Sequence, residues 1–575
     1  MQYTAYSTRK RLLALWIAAT FLFFVLFARL FAVQIIQGQA LQKKAVDQWT
    51  RDLPITPKRG NILDSSGRVI ATSYTSYSVY IRAKNVNDCE QTARVLSEVL
   101  QLKYDNVLKK VKNKSVSEVT LKRQISPEQA NELRTHQLSG VYLAPDTTRS
   151  YPNGDFLTQV LGFVSVDNVG QTGVEKYYDK YLKGINGKIL TQTDLIGVEQ
   201  KDRPLEYLEA VDGMDVVLTV DSVIQGITEN VLETISYVHK PKACRAIVMD
   251  PSSGEILAMA SRPSFNLNAP PRDDVATLME QSRNALVTDI YEPGSTFKVL
   301  TAAANLEEYA NGNPKAFSEG HIFSDAGFRT IDGRKIKCWT THSGTKHARQ
   351  NLAKALNNSC NPIFTDIALS LGKDTFYRYL NRFGYGAATG IDFDGEQTGM
   401  IVPQHSVTNG DLARIGFGQT IAVTPMQLIN ATAAAVNGGL LMQPKLVKEI
   451  TCEQKLVHSF PNVVKNRAIS ETTSRKVATM LEDVVTNGSG KQAYLEGYRV
   501  GGKTGTAQKY ENGKIADGKY VSSFVGFFPS HAPRYIALIV VDEPVGVHYG
   551  STVAAPYAKM IFEQIIQYKN IPPFV

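Results

Sequence analysis

The stretch Tyr291-Glu292-Pro293-Gly294-Ser295-Thr296-Phe297-Lys298-Val299 decides how the rest of this 575-residue chain is read. Pro293 and Gly294 forbid a helix before Ser295, and the Ala- and Leu-containing run Val299 to Leu306 favours one after it. Ser295 is therefore expected at a helix N-terminus, where unpaired N–H groups and the dipole favour developing negative charge. Lys298 falls one turn on, on the same face and within reach of the hydroxyl. A lysine desolvated there can act as a base towards serine. The spacing alone would not single this site out. Ser-x-x-Lys begins at Ser7, Ser295, Ser343 and Ser370, and only the context of Ser295 supplies the break followed by a helix.

Two stretches further along complete a constellation. Ser359-Cys360-Asn361 offers a hydroxyl and an amide two residues apart, expected to point the same way from extended backbone. Lys503-Thr504-Gly505-Thr506 follows Gly501-Gly502 on an expected strand. There the lysine brings positive charge and the threonines bring hydroxyls, and Gly505 is expected to let a ligand approach the strand closely. Ser-x-Asn also begins at Ser264 and Ser282, so it is weak by itself. The order Ser-x-x-Lys, Ser-x-Asn, Lys-Thr-Gly is far more specific than any of its parts.

Around these motifs, strands come first and last and helices lie between. Val216, Leu218 and Val220 alternate, Asp221 is placed to cap a helix Ser222 to Tyr237, and Ala246–Met249 and Glu255–Met259 flank a turn as a β-hairpin. Helical stretches follow at Leu352–Leu356 and Pro425–Val436. Strands return at Tyr498–Ala507, Ser523–Phe528 and Ile536–Val541, with a closing helix Thr552–Tyr568. This predicts one sheet built from both ends of a domain and layered with helices, an α/β (α+β) fold. Upstream, turn clusters at Arg59–Gly67 and Arg149–Gly154, a strand Tyr77–Ala83 and a helix Glu90–Leu102 carry no catalytic set and read as a pedestal.

At the N-terminus, Arg9, Lys10 and Arg11 precede an apolar run from Leu12 that reaches Val33 past Arg29. This is long enough for one bilayer-spanning helix, which needs roughly 17–25 residues. The run exceeds the ~7–15 apolar residues of a cleaved signal peptide, so an uncleaved anchor is favoured over a cut near Gly38 and Ala40. The basic cluster should stay in the cytoplasm and everything after it should lie outside. The expected organisation is a cytoplasmic tail 1–11, anchor 12–36, pedestal 37–210 and catalytic domain 211–575. The net charge of +9 comes without any nucleic-acid-binding signature.

In these residues and their order, the chain resembles a class B penicillin-binding protein along nearly its whole length outside the anchor. Arg59–Gly67, Arg149–Gly154, Gly170–Glu175, Arg283–Ala285, Thr389–Asp392, Val423–Pro425 and Val553–Pro556 resemble further family motifs. The branch it is most similar to is that of the sporulation-specific and division-specific transpeptidases. Lys337-Cys338-Trp339 together with Asn358–Pro362 points to the sporulation side. There are departures: Ser65 stands where arginine is usual, Thr420 where glycine is frequent, and Ser551 where a second glycine is common. The first puts a pedestal salt bridge in doubt.

The resemblance implies a single-pass anchor, an elongated pedestal and a penicillin-recognising serine transpeptidase domain with a central, mainly antiparallel sheet flanked by helices. It implies a D-alanyl-D-alanine transpeptidase acting on peptidoglycan stem peptides, trapped covalently by β-lactam antibiotics. Ser295 would be the nucleophile and Lys298 its base, with the Ser295 and Thr506 N–H groups holding the oxyanion. Ser359 would relay a proton and Asn361 would hold the donor amide, while Lys503, Thr504 and Thr506 bind the terminal carboxylate beside Gly505. No cofactor or metal is implied. A polytopic membrane glycan polymerase and other division or sporulation proteins are the implied partners, and nucleic acid is not. The alternatives are a D,D-carboxypeptidase, a β-lactam-hydrolysing or β-lactam-sensing relative, and a non-catalytic division scaffold.

All five cysteines, Cys89, Cys244, Cys338, Cys360 and Cys452, fall on the expected outer side, where disulfides persist. Period-2 geometry turns Cys360 away from Ser359 and Asn361 into the cleft wall, and Cys338 precedes it shortly, so the two are a candidate redox pair. The alternative is two buried thiols acting as small apolar groups. Cys338, His342, His347 and Cys360 match no common zinc spacing.

Overall fold

A computed structural model describes residues 5–38, 41, 50–116, 118–193, 199–339, 348–511 and 514–574. The chain forms two compact units, residues 1–57 with 185–212, and residues 58–184 with 213–575. The expected pedestal is thus divided between them. In the first unit, helix α1 (Ala5–Phe31) runs on into a wider turn at Ala32–Ile36. Arg9–Ile36 is long and apolar enough to cross a membrane, with mean hydropathy 2.2, and its apolar side chains are exposed. The same unit holds an antiparallel sheet of Thr50–Ile55, Gly187–Thr193 and Glu199–Leu208, with Gly187–Thr193 in the middle.

In the second unit, the expected strand Tyr77–Ala83 is the end of a longer one, Val69–Ile81, which pairs with Val119–Ile125 and Val141–Ser150. Its buried side chains Val79 and Ile81 pack beneath the helix Cys89–Leu100, capped by Asp88 through the N–H groups of Glu90 and Gln91. Ile62–Leu63 runs parallel to Asp215–Leu218, which in turn pairs with Val447–Cys452, so sequence-distant segments share one sheet. Arg59 and Arg149 are buried and clasp Glu175 between them, at 2.6 and 2.7 Å, and Arg59 also reaches Asp179 at 2.7 Å. A buried ion-pair cluster is thus present in this region, and it does not involve position 65. Asp64 keeps its own turn, accepting from the N–H groups of Ser66 and Arg68.

Downstream, β1 (Ala243–Met249), β2 (Ile256–Arg262), β3 (Gly501–Glu511), β4 (Lys514–Phe528) and β5 (Tyr535–Asp542) form an antiparallel sheet in the order β2-β1-β5-β4-β3. The hairpin between β1 and β2 closes where expected, with the Gly254 N–H donating to the Asp250 carbonyl and Gly254 at φ +79°. β5 is apolar at every position from Ile536 to Val541 because both of its faces are covered. Ile536, Leu538 and Val540 join the larger core, and Ala537, Ile539 and Val541 join the smaller one. On the second face lie α2 (Ser222–His239), capped by Asp221 as expected, and the C-terminal helix Ala555–Lys569. The expected Thr552–Tyr568 helix is interrupted at Ala554 and restarts with Pro556 in its first turn, where a missing N–H costs nothing. The first face carries α3 (Lys298–Ala310), α4 (Leu352–Asn357), α5 (Asn361–Leu371), α6 (Pro425–Val436) and α7 (Glu471–Asn487). The Ser295, Ser359 and Lys503 motifs meet where α3, α4 and α5 approach β3.

Candidate active site

Ser295 lies in a single tight turn, Gly294–Phe297, that leads into α3. Gly294 has φ +55° and donates its N–H to the Gly418 carbonyl at 2.9 Å, and Thr296 Oγ1 donates to the Pro293 carbonyl at 2.7 Å. The turn is fixed on both sides of the serine. Lys298, 0 % exposed, extends back so that its Nζ lies 3.0 Å from Ser295 Oγ. The same Nζ contacts the Ser359 carbonyl at 2.7 Å, Ser359 Oγ at 3.1 Å and Asn361 Oδ1 at 2.7 Å. Burial pushes its pKa down to about 7, against a small upward pull from Cys360 and Cys338. Near neutral pH a large share of Lys298 is therefore uncharged. In that form the 3.0 Å contact runs the other way, with the serine hydroxyl donating to the amine lone pair.

Ser359 and Asn361 do converge on Lys298, but not through the expected extended backbone. Ser359 is left-handed at φ +52°, Cys360 is the cap of α5, and Asn361 is its first residue. The corner at the α4–α5 junction, rather than strand alternation, brings the hydroxyl and the amide together. Lys503 departs from expectation too. It is 0 % exposed, beneath the cleft rather than lining it, and its Nζ donates to Ser359 Oγ and to the Thr504 carbonyl, both at 3.1 Å. Burial and the neighbouring Lys298 hold its pKa well below that of an ordinary lysine. Gly505 differs in its reason. A Cβ there would lie 2.6 Å from Ser523 Oγ and 3.0 Å from the Pro293 carbonyl oxygen, so the close approach it permits is that of β3 to the Ser295 turn. Thr504 Oγ1 donates to Ser489 Oγ at 3.3 Å, and Thr506 Oγ1 accepts the Gly550 N–H at 3.0 Å.

Residues 245–567 match the family described as "Penicillin binding protein transpeptidase domain", and residues 54–218 match "Penicillin-binding Protein dimerisation domain". The chain is a member of the penicillin-binding protein transpeptidase family. It is 39% identical to Stage V sporulation protein D of Bacillus subtilis over 100% of this chain and 88% of that one. Peptidoglycan D,D-transpeptidase FtsI of Escherichia coli is 28% identical over 95% of this chain and 90% of that one. In fold it is similar to penicillin binding protein 2X from Streptococcus thermophilus, with TM-score 0.75 and 23% identity, covering 91% of this chain and 80% of that one.

Other Ser-x-x-Lys copies fall away in this penicillin-binding protein. Ser7 lies in α1, and Ser370 donates its hydroxyl to the Lys315 carbonyl. Ser343, with His342 and His347, lies outside the described residues. Cys338 and Cys360 are both buried thiols without a disulfide. Their sulfurs and an Asp325 carboxylate oxygen all lie within 4.8 Å of one another, and Cys360 Sγ donates to Asp325 Oδ2 at 3.2 Å. The hydrogen bond with Cys338, together with burial, pushes the Cys360 thiol pKa up. Three residues at the site were not found by sequence reasoning. Asp325 backs the thiols, Trp339 is half exposed and donates Nε1–H to the Asn358 carbonyl at 2.8 Å, and Glu292 accepts the Thr420 N–H. Trp339 and Glu292 sit inside quoted motifs, but nothing local marks them as linking segments that are distant in the chain.

Proposed function

We propose that this chain, a peptidoglycan D,D-transpeptidase by family, cross-links stem peptides through an acyl-enzyme on Ser295. The observation that carries the reading is the 3.0 Å contact between Ser295 Oγ and a lysine held near neutrality by burial. Uncharged Lys298 takes the hydroxyl proton as Oγ attacks the carbonyl of the penultimate D-Ala. The backbone N–H groups of Ser295 and Thr506 stabilise the oxyanion. As the C–N bond breaks, Lys298 returns the proton through Ser359 Oγ to the departing D-Ala amine. The amine of a second stem then attacks the ester, gives up a proton and restores Ser295. Asn361 holds the donor amide, and Thr504 and Thr506 receive the terminal carboxylate in the field of Lys503. A β-lactam enters the same first step, and its ring-opened acyl group stays on Ser295.

The test is mass analysis of products from a donor stem peptide with and without an acceptor amine. Cross-linked product with loss of one D-Ala supports the reading. Hydrolysed donor alone would make the chain a carboxypeptidase, and intact donor with trapped β-lactam would make it a sensor or scaffold.

Arg9, Lys10 and Arg11, in the first turns of α1 ahead of its apolar run, favour a cytoplasmic N-terminus, with the pedestal at 37–210 and the catalytic domain at 211–575 outside. A cross-linker needs glycan to act on, so a polytopic glycan polymerase is the proposed partner, with division or sporulation proteins around it. Replacing residues 1–37 by an unrelated anchor then impairs function but not penicillin binding, and full function after the swap would exclude an anchor-borne contact. Cys338 and Cys360 are proposed as a redox pair. A disulfide-bearing oxidant would take two electrons and two protons from them, and the new S–S bond would draw on the Ser359–Asn361 corner.

A further inference from the structure

Thr420 is a β-branched residue at φ +60°, a conformation that only glycine adopts without strain. Its N–H donates to Glu292 Oε1 at 2.9 Å. The other carboxylate oxygen, Oε2, is buried and has no hydrogen-bond partner among the described residues. Burial raises the Glu292 pKa, and the Thr420 N–H pulls against that. An acidic side chain is thus held in a partly dry place by a single backbone contact, three residues before the nucleophile.

The segment that Glu292 holds is in direct contact with the nucleophile turn. Gly418, two residues before Thr420, accepts the Gly294 N–H at 2.9 Å, and a Cβ on Gly418 would lie 2.0 Å from the Gly294 carbonyl oxygen. Three residues beyond Thr420, Val423 exchanges two backbone hydrogen bonds with Tyr291, at 2.9 and 3.0 Å. Gly416 accepts from Thr301 Oγ1 in α3 at 2.8 Å. Residues 416–423 therefore form a strut beneath the turn that presents Ser295, and its strained corner is Thr420.

We propose that Glu292 is a positioning residue for the acylation step, its Oε1 holding the left-handed corner at Thr420 so that the Gly418 carbonyl keeps the Ser295 turn in register with Lys298. The proposal rests on Ser295 being the nucleophile. Without the acceptor, Thr420 relaxes towards an ordinary β-branched conformation and the strut shifts under Gly294. A glycine at 420 adopts the same φ without help, so it makes the carboxylate dispensable.

The experiment measures the acylation rate constant k2 and the pre-acylation constant K with a fluorescent penicillin, on the full chain in detergent. Ser295→Ala gives the baseline: labelling there would sink the nucleophile assignment separately. Glu292→Ala and Glu292→Met lower k2 roughly tenfold, the cost of one lost charge-assisted hydrogen bond, with K unchanged. Glu292→Met fills the volume, so a folding failure of the truncation leaves the comparison intact. Glu292→Gln keeps an acceptor oxygen and most of k2, and adding Thr420→Gly to either slow variant restores it. Wild-type k2 in Glu292→Met, a Gln variant as slow as the Met variant, or no rescue by Thr420→Gly each overturns the proposal.

Discussion

Lys298 and Lys503 share one acceptor: each places its Nζ 3.1 Å from Ser359 Oγ. Both are fully buried, and two ammonium groups so close in a dry site cannot both be held without cost. The consequence is a proton count lower than two lysines would carry in water, and one amine ready to accept a proton at neutral pH.

Acylation by a penicillin should therefore rise with pH through an apparent pKa of about 7 and level off above it. The sign follows from the role, since the base must be unprotonated. Because the two lysines interact, the limb belongs to the pair rather than to either residue. A rate independent of pH from 5 to 9 (assay bounds of roughly that span) would contradict the lysine base.

Ser295→Ala should remove covalent labelling completely and leave the thermal midpoint within a few degrees of the parent, because a partly buried hydroxyl contributes little to packing. Gel fluorescence beside a thermal scan checks both halves.

Lys298→Met should abolish acylation while stabilising the fold. The native state binds fewer protons at Lys298 than the unfolded chain between about pH 7 and 10.4, so wild-type stability rises with pH across that window and the burial penalty is greatest below it. Methionine removes the penalty. The thermal midpoint at pH 6 should rise by a few degrees, and a fall instead would show that the four Nζ contacts outweigh desolvation.

Glu175→Gln should destabilise the second unit by about 3–5 kcal/mol, since Arg59 and Arg149 would both lose a buried counter-charge. Denaturant unfolding measures it. The catalytic contacts lie elsewhere, so the penicillin acylation rate of the folded fraction should be unchanged.

Oxidised protein should acylate more slowly than reduced protein, and Cys338→Ser should acylate at the reduced rate under both conditions. Sulfurs within 4.8 Å make the bond reachable, but closing it moves Cys360, the cap of α5. Equal rates in all three samples, or no peptide cross-linked between 338 and 360 by mass spectrometry, would leave the two thiols as packing groups.

Sequence alone carried a great deal here because the decisive features are local. Pro293-Gly294 before Ser295 breaks a helix whatever surrounds it, an apolar run such as that before Val33 needs no tertiary partner to be recognised, and Asp221 caps α2 through its own neighbours. β1, β2, β5 and the second half of β4 were legible for the same reason, as short apolar runs, whereas β3 was legible through its Gly-Gly and Lys-Thr-Gly-Thr motif. What only tertiary structure decided is how segments far apart in the chain meet. Ser359 and Asn361 converge through a left-handed corner and a helix start, because Lys298 and Lys503 approach them from α3 and β3. Gly505 is needed by the Ser295 turn, and Glu292 accepts from Thr420, a residue 128 positions away. Desolvation is likewise invisible in a sequence: Lys298 and Lys503 are ordinary lysines until segments distant in the chain exclude water around them and lower their pKa values.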